Sequence, residues 1–158
     1  VTFILCDLEG CLSNHTERLQ VLRDATQTDP KDRDAWKNYY KGLPQDEPRQ
    51  NMVDAVRTWI DAGDRVVIYS TRFQNKYAHE EEWLTTHGLF EGVELLQRGN
   101  SERKEKGPTL VAMWAGAMQP DILVDDRPEV RDLVCVTSPK IKVFGPGDFQ
   151  GPTQERIP

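Results

Sequence analysis

Two short apolar runs in this chain each stop at carboxylates: Phe3-Ile4-Leu5-Cys6-Asp7-Leu8-Glu9 near the start and Asp121-Ile122-Leu123-Val124-Asp125-Asp126 near the end. Runs this short and this continuously apolar read as strands covered on both faces, which is the situation in a parallel sheet with helices on either side. In such a sheet the ligand crevice lies outside the carboxyl ends of the strands. The pattern therefore gathers Asp7, Glu9, Asp125 and Asp126 at one crevice. Like charges in a cleft need a cation or a shared proton to coexist, so a divalent metal is the first inference. Carboxylates also end strands and begin turns for local reasons; the two runs together argue for more than that.

The sequence between the runs alternates in the same sense. Val53, Val56 and Ile60 follow helical spacing over 51–62, with Asn51 as the expected N-cap and Gly63 as the residue after the C-cap. Arg65-Val66-Val67-Ile68-Tyr69 is a buried strand ending at Ser70-Thr71-Arg72. A helix over 75–87 stops at Gly88, Val93-Glu94-Leu95-Leu96 is a further strand, and Pro108 opens a helix carrying Leu110, Val111 and Trp114. Pro128 starts a short helix through Leu133, after which Val134-Cys135-Val136 or Ile141-Lys142-Val143-Phe144 supplies the last strand. Strands alternating with helices imply right-handed βαβ units and a three-layer, Rossmann-like parallel α/β sheet. We expect one domain over 1–150 and an irregular tail over 151–158.

The exception is 13–49, polar, highly charged and interrupted by Pro30, Gly42, Pro44 and Pro48. It reads as a small helical insert after the first strand, with helical pieces at Glu17–Leu22 and Asp34–Tyr40. Its aromatics serve either as a lid at the crevice mouth or as simple packing.

Composition narrows the function. The chain has 158 residues, and no apolar stretch approaches the roughly 20 that a membrane-spanning helix requires. Val1 opens directly into the first strand, with no leader pattern in view, and a soluble cytoplasmic protein with no membrane partner is expected. A net charge of −6 disfavours broad attraction to nucleic acid, while leaving room for a small anionic substrate held by local cations. The 3 cysteines include no CxxC pair, which suits a reducing compartment. Cys6, Cys11 and His15 make a poor zinc set, because Cys6 lies in the strand and no second ligand pair follows.

The acidic ends suit phosphoryl chemistry. Asp7 can act as a nucleophile on phosphorus if a metal and fixed donors offset its repulsion from the substrate. Glu9 can protonate the leaving oxygen and later activate water. Ser70 can bind phosphoryl oxygens, Lys106 or Lys104 can stabilise developing charge, and Asp125 with Asp126 can hold Mg²⁺.

This order of parts resembles the haloacid dehalogenase superfamily. Asp7-Leu8-Glu9-Gly10-Cys11-Leu12 is similar to its DxDGTL signature, Val67-Ile68-Tyr69-Ser70-Thr71-Arg72 to its second motif and Val124-Asp125-Asp126-Arg127 to its fourth. These forms look like the 3′-phosphatase domain of polynucleotide kinase-phosphatases. His15, Arg18, Leu19, Asp34, Trp36, Tyr40, Asp46 and Pro48 resemble the insert of that group more loosely. The resemblance implies Asp7 as nucleophile and metal ligand, the Glu9 carbonyl as a second ligand, and Asp125 and Asp126 as metal-side acids. It implies Ser70, Thr71 and Arg72 as phosphate binders, Lys106 as the motif-three lysine with Lys104 as the alternative, and His15, Arg18, Trp36 and Tyr40 as lid or substrate contacts. Glu9 stands where the family carries Asp, and Cys11 where it carries Thr. No GxxxxGK[ST] loop is present, so a kinase activity is not encoded. The expected function is a Mg²⁺-dependent phosphomonoester hydrolase acting through an aspartyl-phosphate. A (deoxy)nucleoside monophosphate is the favoured substrate and a nucleic-acid 3′-phosphate the alternative; a weakly catalytic phosphate-binding protein is the reading of another class.

Overall fold

A computed structural model describes residues 1–73 and 78–149. The strands are β1 (Phe3–Asp7), β2 (Ser13–Asn14), β3 (Glu47–Pro48), β4 (Arg65–Phe73), β5 (Glu94–Arg98), β6 (Ile122–Val124) and β7 (Lys142–Phe144). The helices are α1 (Thr16–Thr26), α2 (Arg33–Lys41), α3 (Gln50–Asp61), α4 (His79–Thr86), α5 (Gly107–Met118) and α6 (Pro128–Thr137). The main sheet runs in the order β5-β4-β1-β6-β7, and all its pairs are parallel.

The period-two alternation of the strands divides the core. Ile4 and Cys6 of β1, Val66 and Ile68 of β4, and Ile122 and Val124 of β6 pack with Val53, Val56 and Trp59 of α3 and with Trp83 and Leu84 of α4. Leu5, Val67, Tyr69 and Leu123 face the other way, onto Leu110, Val111 and Trp114 of α5 and Val130 and Val134 of α6. The result is the expected three-layer sheet. From β1 the chain builds outward through β4 to β5, then returns past β1 to add β6 and β7. The switch point thus lies between β1 and β6, where the two acidic runs end.

The insert follows β1. Its two helical pieces form as α1 and α2, and the antiparallel pair β2 and β3, which the sequence pattern does not reveal, ties its ends together through Ser13 opposite Pro48. Two residues are too short to leave a periodicity.

Several expectations are revised. The last strand is β7, whereas Val134-Cys135-Val136 continues α6, because Val130 and Val134 bury one helical stripe under Pro128 at the helix start. Asn51 lies inside α3 and donates to the carbonyls of Pro146, at 2.9 Å, and Phe149; the helix begins after Arg49 without a side-chain cap. At the other end Gly63, with φ +80°, closes α3 as expected, its N–H and that of Asp64 reaching the carbonyls of Ile60 and Trp59 at 3.0 Å. β4 runs on to Phe73 with an irregularity between Ser70 and Phe73. The expected helix start at Asn75 and the tail over 151–158 lie outside the described residues.

Candidate active site

Asp7 is the last residue of β1 and is 5% exposed. Beyond it the ladder continues for one bond, Leu8 N–H to Tyr69 O at 3.0 Å, before the chain turns back through Gly10 N–H to Ser13 O at 2.9 Å. Gly10 has φ +90°, and a Cβ there would lie 2.5 Å from the Asp126 carboxyl carbon. The turn needs glycine both for its backbone and because Asp126 packs directly over it.

Asp125 and Asp126 follow β6 and face different surroundings. Asp125 is fully buried; it accepts from Tyr69 O–H at 2.5 Å, from Arg127 N–H at 2.8 Å, and from Arg127 Nε and Nη2, each at 3.1 Å. Those bonds occupy its carboxylate, which props up the Asp126 turn from behind. Asp126 keeps Oδ1 buried without a hydrogen-bond partner among the described residues. One ligand atom each from Asp7, Asp126 and Cys11 lies within 4.8 Å of the others.

Burial first, then the charge of Asp125, pushes the Asp7 carboxyl well above the usual carboxylate range, with Arg127 pulling the other way. Burial and then Asp7 push the Cys11 thiol up as well, so it keeps its proton. Thiol sulfur is a soft donor, whereas carboxylate oxygens, one of them unsatisfied among the described residues, suit a hard cation. The residues present fit Mg²⁺ held by Asp7 and Asp126.

A cavity of about 370 Å³ opens over this pair, lined by Asp7, Glu9, His15, Trp36, Tyr39, Tyr40, Ser70, Thr71, Arg72, Arg98, Gly107, Pro108, Asp126 and Arg127. Basic groups gather on the β4 side. Arg72 Nη2 donates to Tyr40 O at 2.8 Å, and Nη1 lies 3.6 Å from Glu9 Oε1. Arg98, at the end of β5, donates to the carbonyls of Thr71, Glu102 and Glu105 at 2.7, 2.7 and 2.6 Å. It thereby staples the 99–106 loop to the end of β4.

The insert supplies the roof. Arg18 of α1 donates to Glu9 Oε2 at 2.8 Å and grips Asp46 with two bonds of 2.7 Å. Its guanidinium lies 4.5 Å from the Tyr39 ring centroid, as Arg72 lies 4.7 Å from that of Tyr40. His15 joins roof to floor, with Nδ1 2.9 Å from Tyr39 Oη and Nε2 3.8 Å from Asp126 Oδ2. Trp36 stands 5.9 Å from Tyr40, ring to ring, and both are partly exposed.

Most of the residues singled out in the sequence therefore meet in one cavity. Asp125 stands behind the wall and Arg18 behind Glu9. Lys106, at the N-terminal boundary of α5, and Lys104 are exposed and absent from the lining, although Gly107 and Pro108 contribute to it. Tyr39 and Arg98 are not singled out in the sequence, and Arg127 enters there only as the last residue of the fourth motif, with no role of its own. Arg127 had a signal: a fully buried carboxylate such as Asp125 needs a cation, and the next-but-one residue is the nearest.

No family model and no curated protein matches the chain. Solved structures do. A chain of the Pnkp1/Rnl/Hen1 complex superposes with a TM-score of 0.64 at 18% identity, over 90% of this chain and 45% of that one. A haloacid dehalogenase-like hydrolase from Streptococcus pneumoniae gives 0.63 at 11% identity, over 90% and 83%. A haloacid dehalogenase family hydrolase from Deinococcus radiodurans R1, with bound phosphate and sodium, gives 0.56 at 14%, over 97% and 84%. The chain has the haloacid dehalogenase fold. It spans less than half the length of the repair-complex chains it resembles, at 45% and 41%.

Proposed function

We propose that this chain is a Mg²⁺-dependent phosphomonoester hydrolase with Asp7 as its nucleophile. The observation that carries the reading is the pairing of two carboxylates, buried Asp7 and half-buried Asp126, in a cavity that Ser70, Arg72 and Arg98 also line. Asp7 and Asp126 would hold Mg²⁺, which would supply the positive charge that lets a carboxylate meet an incoming phosphate dianion. Asp7 attacks phosphorus, forming an acyl phosphate as the ester oxygen departs. Glu9, held by Arg18 and facing Arg72, gives that oxygen its proton and then takes one from the water that attacks phosphorus, releasing inorganic phosphate and restoring Asp7. Ser70, Thr71 and Arg72 hold the phosphoryl oxygens, and Lys106, next in sequence to the lining residue Gly107, is the lysine that stabilises the developing charge.

The aromatic roof favours a nucleotide. Trp36 and Tyr40 line the cavity and are partly exposed, which gives a base aromatic surface to stack on, and about 370 Å³ suits a mononucleotide. A second reading, a nucleic-acid 3′-phosphate, is favoured by the likeness to a protein of the Pnkp1/Rnl/Hen1 RNA repair complex. Phosphate release from 5′-mononucleotides, a 3′-phosphorylated oligonucleotide and p-nitrophenyl phosphate, with and without Mg²⁺, decides between them. Faster turnover of mononucleotides supports the first reading and of the oligomer the second. Phosphate binding without turnover of any of the three would make the chain a binding protein.

A further inference from the structure

Arg72 leaves the end of β4 between two carboxylates. On the cavity side Glu9 Oε1 lies 3.6 Å from Nη1; on the far side Glu80 Oε1, on the first turn of α4, lies 3.0 Å from Nε. Nη2 is fixed to the Tyr40 carbonyl, and the guanidinium lies over the Tyr40 ring. A guanidinium is a rigid planar fork, so the ion pair at Nε and the hydrogen bond at Nη2 together set where Nη1 lies. That nitrogen is buried, makes no hydrogen bond among the described residues and belongs to a residue lining the cavity. The Glu80 carboxylate is wholly buried and is absent from the lining. A buried glutamate is costly unless paired, and an apolar side chain would fill the space without that cost.

We propose that Glu80 is a positioning residue that draws Arg72 back from Glu9 and so aims Nη1 at the phosphoryl group. The role rests on the phosphatase reading for its catalytic consequence, though not for its geometry. Without the pull of Glu80, Arg72 would close on Glu9 as a tighter ion pair. Its Nη1 would be lost to the substrate, and Glu9 would be hindered as a proton carrier.

The test uses Glu80→Gln, Arg72→Ala and the double variant, read by calorimetric binding of inorganic phosphate with Mg²⁺ and by kcat and KM on p-nitrophenyl phosphate. Misplacing one contact by about an ångström costs up to about a hundredfold. Glu80→Gln should therefore weaken phosphate binding and lower kcat/KM by about tenfold to a hundredfold, with KM rising, and should add nothing in the Arg72→Ala background. Wild-type values for Glu80→Gln, or an equal further loss without Arg72, would overturn the proposal. Should Glu80→Gln fail to fold, Glu80→Asp keeps the charge but shortens its reach; a raised KM for that folded variant supports the role and a wild-type KM refutes it. If the wild type binds phosphate but hydrolyses nothing, the phosphatase reading falls, and the dependence of phosphate affinity on Glu80 still decides the positioning role.

Discussion

Replacing Gly10 with alanine tests the floor of the site from a position that contributes no side chain. The backbone there has φ +90°, where an L-residue loses roughly 1–2 kcal/mol, so urea denaturation should show destabilisation of about that size. The second effect is local. The new Cβ would lie 2.5 Å from the Asp126 carboxyl carbon and 2.8 Å from its Oδ1. Against an ordinary carbon–carbon contact of about 3.5 Å, Asp126 must retreat by about 1 Å. A ligand displaced that far from Asp7 should raise the Mg²⁺ concentration for half-maximal activity and lower saturating turnover by about a hundredfold. Urea melts give the first effect and a Mg²⁺ titration of activity the second. A variant that loses stability yet keeps the wild-type Mg²⁺ titration would show that Gly10 serves only the turn, and would remove Asp126 from the metal site.

Three further perturbations separate the parts of the account. In metal-free protein Asp7 has its pKa raised by burial and by Asp125, so stability is full below the unfolded value of about 4 and is lost as pH rises through the higher native value; Asp7→Asn should remove that decline and melt above the wild type at neutral pH, and a lower melting temperature there would contradict it. Tyr69→Phe deletes the 2.5 Å bond to Asp125 and leaves a buried carboxylate oxygen short of a partner, a cost of about 1–3 kcal/mol in urea melts; an unchanged midpoint would show that Arg127 suffices. Trp36→Ala should raise KM for mononucleotides severalfold while leaving p-nitrophenyl phosphate unaffected, and equal effects on both would deny base stacking at the roof.

The architecture was legible because β1, β4 and β6 are buried on both faces and end abruptly in polar groups. The helix over 51–62 was legible from Val53 and Val56, but its N-cap was not: Asn51 makes its bonds to the distant carbonyls of Pro146 and Phe149, which no local pattern announces. The same limit separates Asp125 from Asp126. They are adjacent and chemically identical in the sequence, and only the meeting of Tyr69 and Arg127 on the first leaves the second with an unsatisfied oxygen. Glu9 and Arg72 stood out individually, whereas Glu80 is the first of three consecutive glutamates, and nothing in the local sequence marks it as the one the fold turns inward against Arg72.

The central claim is that Asp7 becomes covalently phosphorylated during turnover. An acyl phosphate is reduced by borohydride, which converts the modified aspartate to homoserine, and peptide mass spectrometry locates the change. With Mg²⁺ and a mononucleotide or p-nitrophenyl phosphate present, quenching into borohydride should yield homoserine at position 7, dependent on both metal and substrate. Turnover without that product, or with the label at Asp126 instead, would contradict the account.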